Sequence, residues 1–128
     1  MVVKALTLGK NRDVSFDDQE AFCPLFHRAV ELIGRRWTGA ILRALLTGVN
    51  RFSDLAATVP GMSDRMLSER LKELEAEGVV VRRVIPETPV RIEYELTKKG
   101  RALQDVIEAV SEWASLWGAE QAAEATAR

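Results

Sequence analysis

The sequence predicts a mainly helical fold completed by one small antiparallel β-hairpin, and three observations predict it. Residues 63–78, SDRMLSERLKELEAEG, place leucines at helical spacing between a capping serine and a terminating glycine. Residues 79–85 and 90–96, VVVRRVI and VRIEYEL, are β-rich and separated by the polar loop PETP. From Thr97 onward, apolar residues recur at spacings of three and four through Trp117.

In order along the chain, residues 1–14 show no sustained period and read as a flexible N-terminal arm. Ser15 opens SFDDQEAF, a possible capped entry to the domain, which we expect to span residues 15–120. Cys23 then takes an N-cap position and Pro24 the first helical position. Phe22, Leu25, Phe26, Ala29, Val30 and Ile33 repeat at three and four before Gly34, which predicts a buried face on the first helix. A second helix carries Trp37, Ile41, Leu42, Leu45 and Leu46 and closes at Gly48. Arg51 and Phe52 bridge to SDLAATVPG, where Ser53 is expected to cap a short helix burying Leu55 and Val59.

Pro60 and Gly61 make the turn into the leucine helix. Taking Leu67 as the origin, Leu71 and Leu74 fall within about 40° of it. Arg65, Ser68, Glu69, Lys72 and Ala76 lie on the opposite side, a face that is either solvated or inserted in a DNA major groove. A short helix, a glycine-containing turn and a longer amphipathic helix make a helix-turn-helix candidate. In the hairpin, pairing Ile85 with Val90 sets Arg82 opposite Glu93 and gives the strands one face for the core. Such a hairpin serves either as a wing or as a plain edge of the core. Thr97 caps one long last helix, and the tail at residues 121–128 is expected to fray. Its stripe, with Val106, Val110, Trp113 and Trp117, either closes over the first helix of the same chain or pairs with Leu25 and Phe26 across a two-fold axis. We expect the second, a homodimer interface formed by the terminal helices.

Charge is unevenly distributed along the 128 residues. Residues 35–101 hold 13 Lys and Arg against 9 Asp and Glu, whereas the flanks are net −1 and −4, within a total of −1. A basic centre suits a polyanionic partner. The single cysteine excludes an internal disulfide framework and fits a reducing compartment. No apolar run approaches the roughly 18 residues of a membrane span, and no secretory signal is visible, so a cytoplasmic protein without membrane partners is expected. One histidine, one cysteine and scattered carboxylates offer no convergent catalytic set, so no enzyme and no cofactor are expected. Cys23 and His27 are two ligands at most and do not make a metal site.

The order of elements resembles a winged helix-turn-helix regulator, and particular residues are similar to the HxlR family within the MarR-like regulators. They are CP at Cys23 and Pro24, IGRRWTGAIL from Ile33 to Leu42, RFSDL from Arg51 to Leu55, VPGMSDRMLSERLKELEAEGVV, IEYELTKKG and Trp113, which together cover roughly residues 22–117. Two departures are visible: Arg36 stands where many members carry lysine, and the wing reads PETPVRIEY where two prolines are common. The resemblance implies a dimeric, sequence-selective binder of double-stranded DNA that regulates transcription, as a repressor in our reading, on a palindromic operator.

On that reading Arg65, Ser68, Glu69 and Lys72 face the groove: arginine and lysine donate to guanine, glutamate accepts from cytosine, and serine suits either. Ser63 is placed for a phosphate, and Arg51, Arg82 and Arg91 are backbone or minor-groove candidates. Cys23 is the regulatory candidate. The helix dipole would favour its thiolate and His27 lies one turn on, and HxlR relatives that sense oxidants or electrophiles use a cysteine in this neighbourhood. The competing reading is a small buried hydrophobe beside Phe26 and Val30. A small-ligand regulator with an apolar pocket near Trp37, Phe26 and Trp113, and a winged helix that binds only proteins, are the functional alternatives.

Overall fold

The computed structural model describes the backbone of residues 21–127 and the side chains of residues 21–120. The N-terminal arm and the entry at Ser15 lie outside the described residues. The elements are α1 (Pro24–Ile33), α2 (Thr38–Leu46), α3 (Phe52–Thr58), α4 (Asp64–Ala76), β1 (Val80–Ile85), β2 (Arg91–Leu96), α5 (Lys98–Arg101) and α6 (Gln104–Ala127). They fall into two units, divided between Ala102 and Leu103. Among the described residues no helix is long and apolar enough to cross a membrane.

The core of the first unit is built by α2, α3, α4 and the hairpin. Ile41, Leu42, Leu55, Leu67, Leu71 and Leu74 are fully enclosed, with Val79, Val80, Tyr94 and Leu96 closing the sheet side. The expected stripe of α4 is therefore its buried face. The Ser63 hydroxyl accepts from Met66 N–H at 3.1 Å, capping one of the orphan donors of the first turn. At the other end Val79 N–H donates to Leu74 O and Gly78 N–H to Glu75 O, with Gly78 at φ 74°. This is a Schellman closure, and the left-handed residue it requires is the glycine.

Helix α1 starts as expected, with Cys23 extended at the N-cap and Pro24 in the first turn. The face predicted to be buried is not covered: Phe22, Leu25, Phe26 and Val30 are 59%, 81%, 66% and 42% exposed. Only Leu32 and Ile33 are half-buried, because the unit's core is filled without the rest of the helix.

Ser53 is not the cap of α3. The helix begins at Phe52, with Arg51 at the N-cap. Arg51 forms a single antiparallel bridge with Glu93, and Asn50 O accepts from Tyr94 N–H at 2.8 Å, so the chain enters α3 directly from the sheet edge. Leu55 and Val59 are buried as the spacing predicts.

The hairpin register differs from the expectation by one residue. Val80 pairs with Leu96 and Ile85 with Arg91, which sets Arg82 opposite Tyr94 and Arg83 opposite Glu93. The expected Arg82–Glu93 pairing is thereby overturned. The cause lies at the base: Val79 N–H is used in closing α4 and its carbonyl accepts from Thr97 N–H, so the strand ladder begins one residue later. A slip of one exchanges the two faces of β1 relative to β2. Val80, Tyr94 and Leu96 now share the core side, and the loop is five residues, Pro86 to Val90.

The long last helix is broken. Thr97 does cap a helix, its Oγ1 accepting from Gly100 N–H at 3.1 Å, but α5 ends at Arg101. The Thr97 hydroxyl donates to Gly78 O at 2.6 Å and Arg101 to Leu96 O at 2.7 Å, tying this turn to the hairpin base. Gly100 backs onto the Val79 carbonyl with no room for a Cβ. The second unit contains α6, which remains helical through Ala127 and so through most of the segment expected to fray. On it Val110, Trp113, Leu116 and Trp117 are more than half exposed, and Val106 is half-buried.

Leu71→Ala should lower the unfolding free energy by about 2–5 kcal/mol in a urea titration, since it removes a fully enclosed side chain. Lys72→Ala, one residue on but exposed, should stay within about 0.5 kcal/mol of the parent.

Candidate nucleic-acid interface

The polar face of α4 is solvent-exposed along its length. Arg65, Glu69 and Lys72 are exposed and Ser68 is half-buried, while Ser63 marks the helix entrance. Arg65 Nε lies 3.4 Å from Glu69 Oε1, an i,i+4 pair with the arginine side chain 87% exposed. Such a pair contributes only a few tenths of a kcal/mol, so it orders the two side chains without holding them from a better partner. Lys72 has no ion-pair partner among the described residues. The face thus offers one guanidinium, one ammonium, one carboxylate and one hydroxyl over two turns, a set able to read donor and acceptor edges in a major groove.

The hairpin arginines are treated unequally. Arg83 is bound to Glu95 at 2.9 Å. Arg91 sits between Glu93 at 2.8 Å and Glu87 at 3.3 Å, though its Nε is off-line for a hydrogen bond. Arg82 is exposed on the Tyr94 side with no ion-pair partner among the described residues. Of the two wing arginines anticipated as DNA contacts, Arg82 therefore presents an uncompensated charge and Arg91 does not. Arg51 is half-buried, its backbone engaged with Glu93.

The concealed flank of α4 carries a network that the leucine pattern does not announce. Arg70 is 7% exposed; its Nε donates to Arg36 O at 2.9 Å and its Nη1 lies 3.1 Å from Glu73 Oε2. Arg35 reaches the same carboxylate oxygen at 2.9 Å, and Arg28 on α1 reaches Glu77 at 3.2 Å. These contacts join α1 and the α1–α2 turn to α4 and its C-cap. Within that turn Trp37 has φ 79°, a conformation costly for a bulky residue. Its indole edge stands 3.5 Å from the position a Cβ would take on Gly61, and the Arg36 guanidinium lies 4.7 Å from its ring centroid. The one available signal for Arg70 was its angle: it falls about 60° from Leu67, at the margin of the apolar stripe.

Cys23 is a half-buried free thiol at the α1 N-cap, and its side chain makes no capping bond. His27 packs against Phe22 at 5.2 Å between ring centroids and lies 4.0 Å from Glu31. The dimer candidates Leu25, Phe26, Val110, Trp113 and Trp117 are exposed, and Val106 is half-buried. Among the described residues no group of three or more His, Cys, Asp or Glu is arranged to hold a metal.

An amphipathic helix on a glycine turn, followed by a two-stranded wing, defines a winged helix-turn-helix regulator. The chain belongs to the HxlR-like helix-turn-helix family, whose model matches residues 32–122. It is similar to the HTH-type transcriptional regulator YvaP of Bacillus subtilis, 54% identical over 100 residues covering 78% of this chain and 93% of YvaP. It is 48% identical over 92 residues to the regulator YodB of the same organism, covering 72% and 82% of the two chains. The solved reduced form of YodB superposes with a TM-score of 0.64 over 73% of this chain and 91% of that one, at 47% identity. YodB has also been solved diamide-treated and quinone-bound. The redox regulator HypR in reduced form gives a TM-score of 0.66 at 33% identity, over 71% and 90%. The family is one of transcriptional regulators and not of enzymes.

Arg70→Met should lose about 1.5–3 kcal/mol of stability, because a buried charge-assisted donor to a backbone carbonyl is removed. Arg35→Gln, on the exposed side of the same carboxylate, should cost no more than about 1 kcal/mol. Parallel thermal and urea unfolding of the two variants checks the difference.

Proposed function

We propose that the protein is a cytoplasmic, homodimeric repressor that reads a palindromic operator with α4 and its wing and responds to oxidants or electrophiles through Cys23. Membership of a helix-turn-helix regulator family supports DNA as the partner. The observation that carries the reading is the exposed polar face of α4, with Arg65, Ser68, Glu69 and Lys72 projecting from a helix anchored on its other side by Leu67, Leu71 and Leu74. Ser63 at the entrance and Arg51, Arg82 and Arg91 around the wing supply phosphate and minor-groove contacts, with Arg91 having first to leave its two glutamates.

The dimer reading rests on apolar faces that the single chain leaves open. Leu25 and Phe26 on α1, and Val106, Val110, Trp113 and Trp117 on α6, pair with a second copy. Large exposed apolar faces mark association surfaces. The sensing reading rests on the sole thiol at the start of α1 and on YodB, solved in diamide-treated and quinone-bound forms. With one cysteine per chain, oxidation joins Cys23 to the Cys23 of a second copy or to a small thiol, two electrons and two protons passing to the oxidant; a quinone instead adds directly to the thiolate.

DNA selected from a random pool gives the operator, and anisotropy titrations on it test the reading. Arg65→Ala should weaken operator binding by about 1–3 kcal/mol while sedimentation still shows a dimer. Equal affinity of the parent for operator and random duplex would refute the regulator reading. Diamide or benzoquinone should reduce operator affinity of the parent and leave Cys23→Ser unaffected; an equal response of both removes Cys23 as the sensor.

A further inference from the structure

Four arginines cluster around α1, the α1–α2 turn and the concealed flank of α4, and three of them are matched with carboxylates. Arg28 has Glu77, Arg35 has Glu73, and Arg70 has Glu73. Arg36 has no carboxylate partner among the described residues. It is nevertheless held in place at two points. Its carbonyl accepts from the buried Arg70 side chain at 2.9 Å, which fixes its backbone against α4. Its guanidinium lies 4.7 Å from the Trp37 ring centroid, and the far edge of that ring packs against Gly61 in the turn that leads into α4.

A guanidinium held over an indole keeps those of its five N–H donors that do not point at the ring available to a second partner. An exposed cation without a carboxylate partner is suited to an anion that presents two oxygens side by side, such as the non-bridging pair of a phosphate, which it can engage through two parallel hydrogen bonds. Its location says which one. The N-terminal end of a recognition helix is the end that enters the groove, so the phosphates of the groove wall stand beside the turn preceding it. Trp37, whose ring edge lies against Gly61, brings Arg36 near that turn.

We infer that Arg36, stacked on Trp37, is a phosphodiester clamp that grips the DNA backbone beside the entrance of α4. The inference rests on the DNA-binding reading above and adds to it a contact outside both the recognition face and the wing. As a backbone contact it carries affinity and positioning and no base information. The ordering of Arg36 before binding lowers the entropy lost when the contact forms.

The test is a salt series of anisotropy titrations on the selected operator and on a random duplex. Arg36→Gln should weaken both by a similar factor, about tenfold, and lower the salt slope by about 0.9. Arg36→Lys should keep the slope while losing part of the affinity, since the charge remains and the stacked fork is lost. Arg28→Gln, whose side chain is already paired, should leave the slope at the parent value. Phosphate ethylation interference reads the same contact without dependence on variant stability: one phosphate per half-site should block the parent when ethylated and cease to matter for Arg36→Gln. A parent that selects its operator, with Arg36→Gln unchanged in slope and within twofold in affinity, overturns the clamp and leaves the regulator reading standing. A parent with neither selectivity nor salt dependence overturns both.

Discussion

The buried guanidinium of Arg70 holds together parts of the first unit that the apolar core does not reach. Withdrawing such a charge from water costs several kcal/mol unless its donors are matched. Here one donor meets a backbone carbonyl and another a carboxylate, so the cost is offset only with the Arg36 peptide and Glu73 in place. The same turn holds the left-handed Trp37 at the start of α2, with its indole edge against Gly61. The helix α4 is thus anchored on its concealed side by polar contacts as well as by its leucines.

The helices that were legible in the sequence are those whose ends and faces are decided locally. Ser63, Pro24, Gly78 and Thr97 act within a few residues of themselves, and Leu67, Leu71 and Leu74 define a stripe wherever the helix goes. The misreadings share another cause. The hairpin register depended on Val79 being taken up by the close of α4, and the start of α3 depended on Asn50 and Arg51 meeting β2. The break after Arg101 depended on Thr97, Gly100 and Arg101 being tied to residues of the hairpin and its base. Each is a contact between distant positions, invisible to spacing alone. Of the candidate site, the exposed polar face of α4 was legible because it is the complement of the stripe, whereas the pairing state of each arginine was not.

The first unit fills its core without most of the apolar face of α1. That economy separates two tasks. Residues from Thr38 to Leu96 build the frame for α4, while Phe22, Leu25, Phe26, Val110, Trp113 and Trp117 are exposed in the single chain, the surface on which the dimer proposal rests. Ionic contacts from Arg28 and Arg35 to Glu77 and Glu73 connect α1 to that frame. Being largely exposed, they are weak individually and sensitive to salt. On the proposed sensing reading, a chemical change at Cys23 meets a helix whose middle and following turn are tied to α4 by these contacts.

The hairpin from Val80 to Leu96 carries three arginines and three glutamates, and two of the arginines are bound to carboxylates. It adds nothing to the long-range field that draws a protein toward any stretch of DNA. The consequence concerns the search across a genome, where unspecific sites vastly outnumber operators. On the DNA-binding reading proposed above, Arg83 and Arg91 meet a groove only by exchanging their glutamates for it, whereas Arg82 stands without such a partner among the described residues. On that reading a hairpin of zero net charge adds more to contacts made at a fitted site than to unspecific attraction along the duplex.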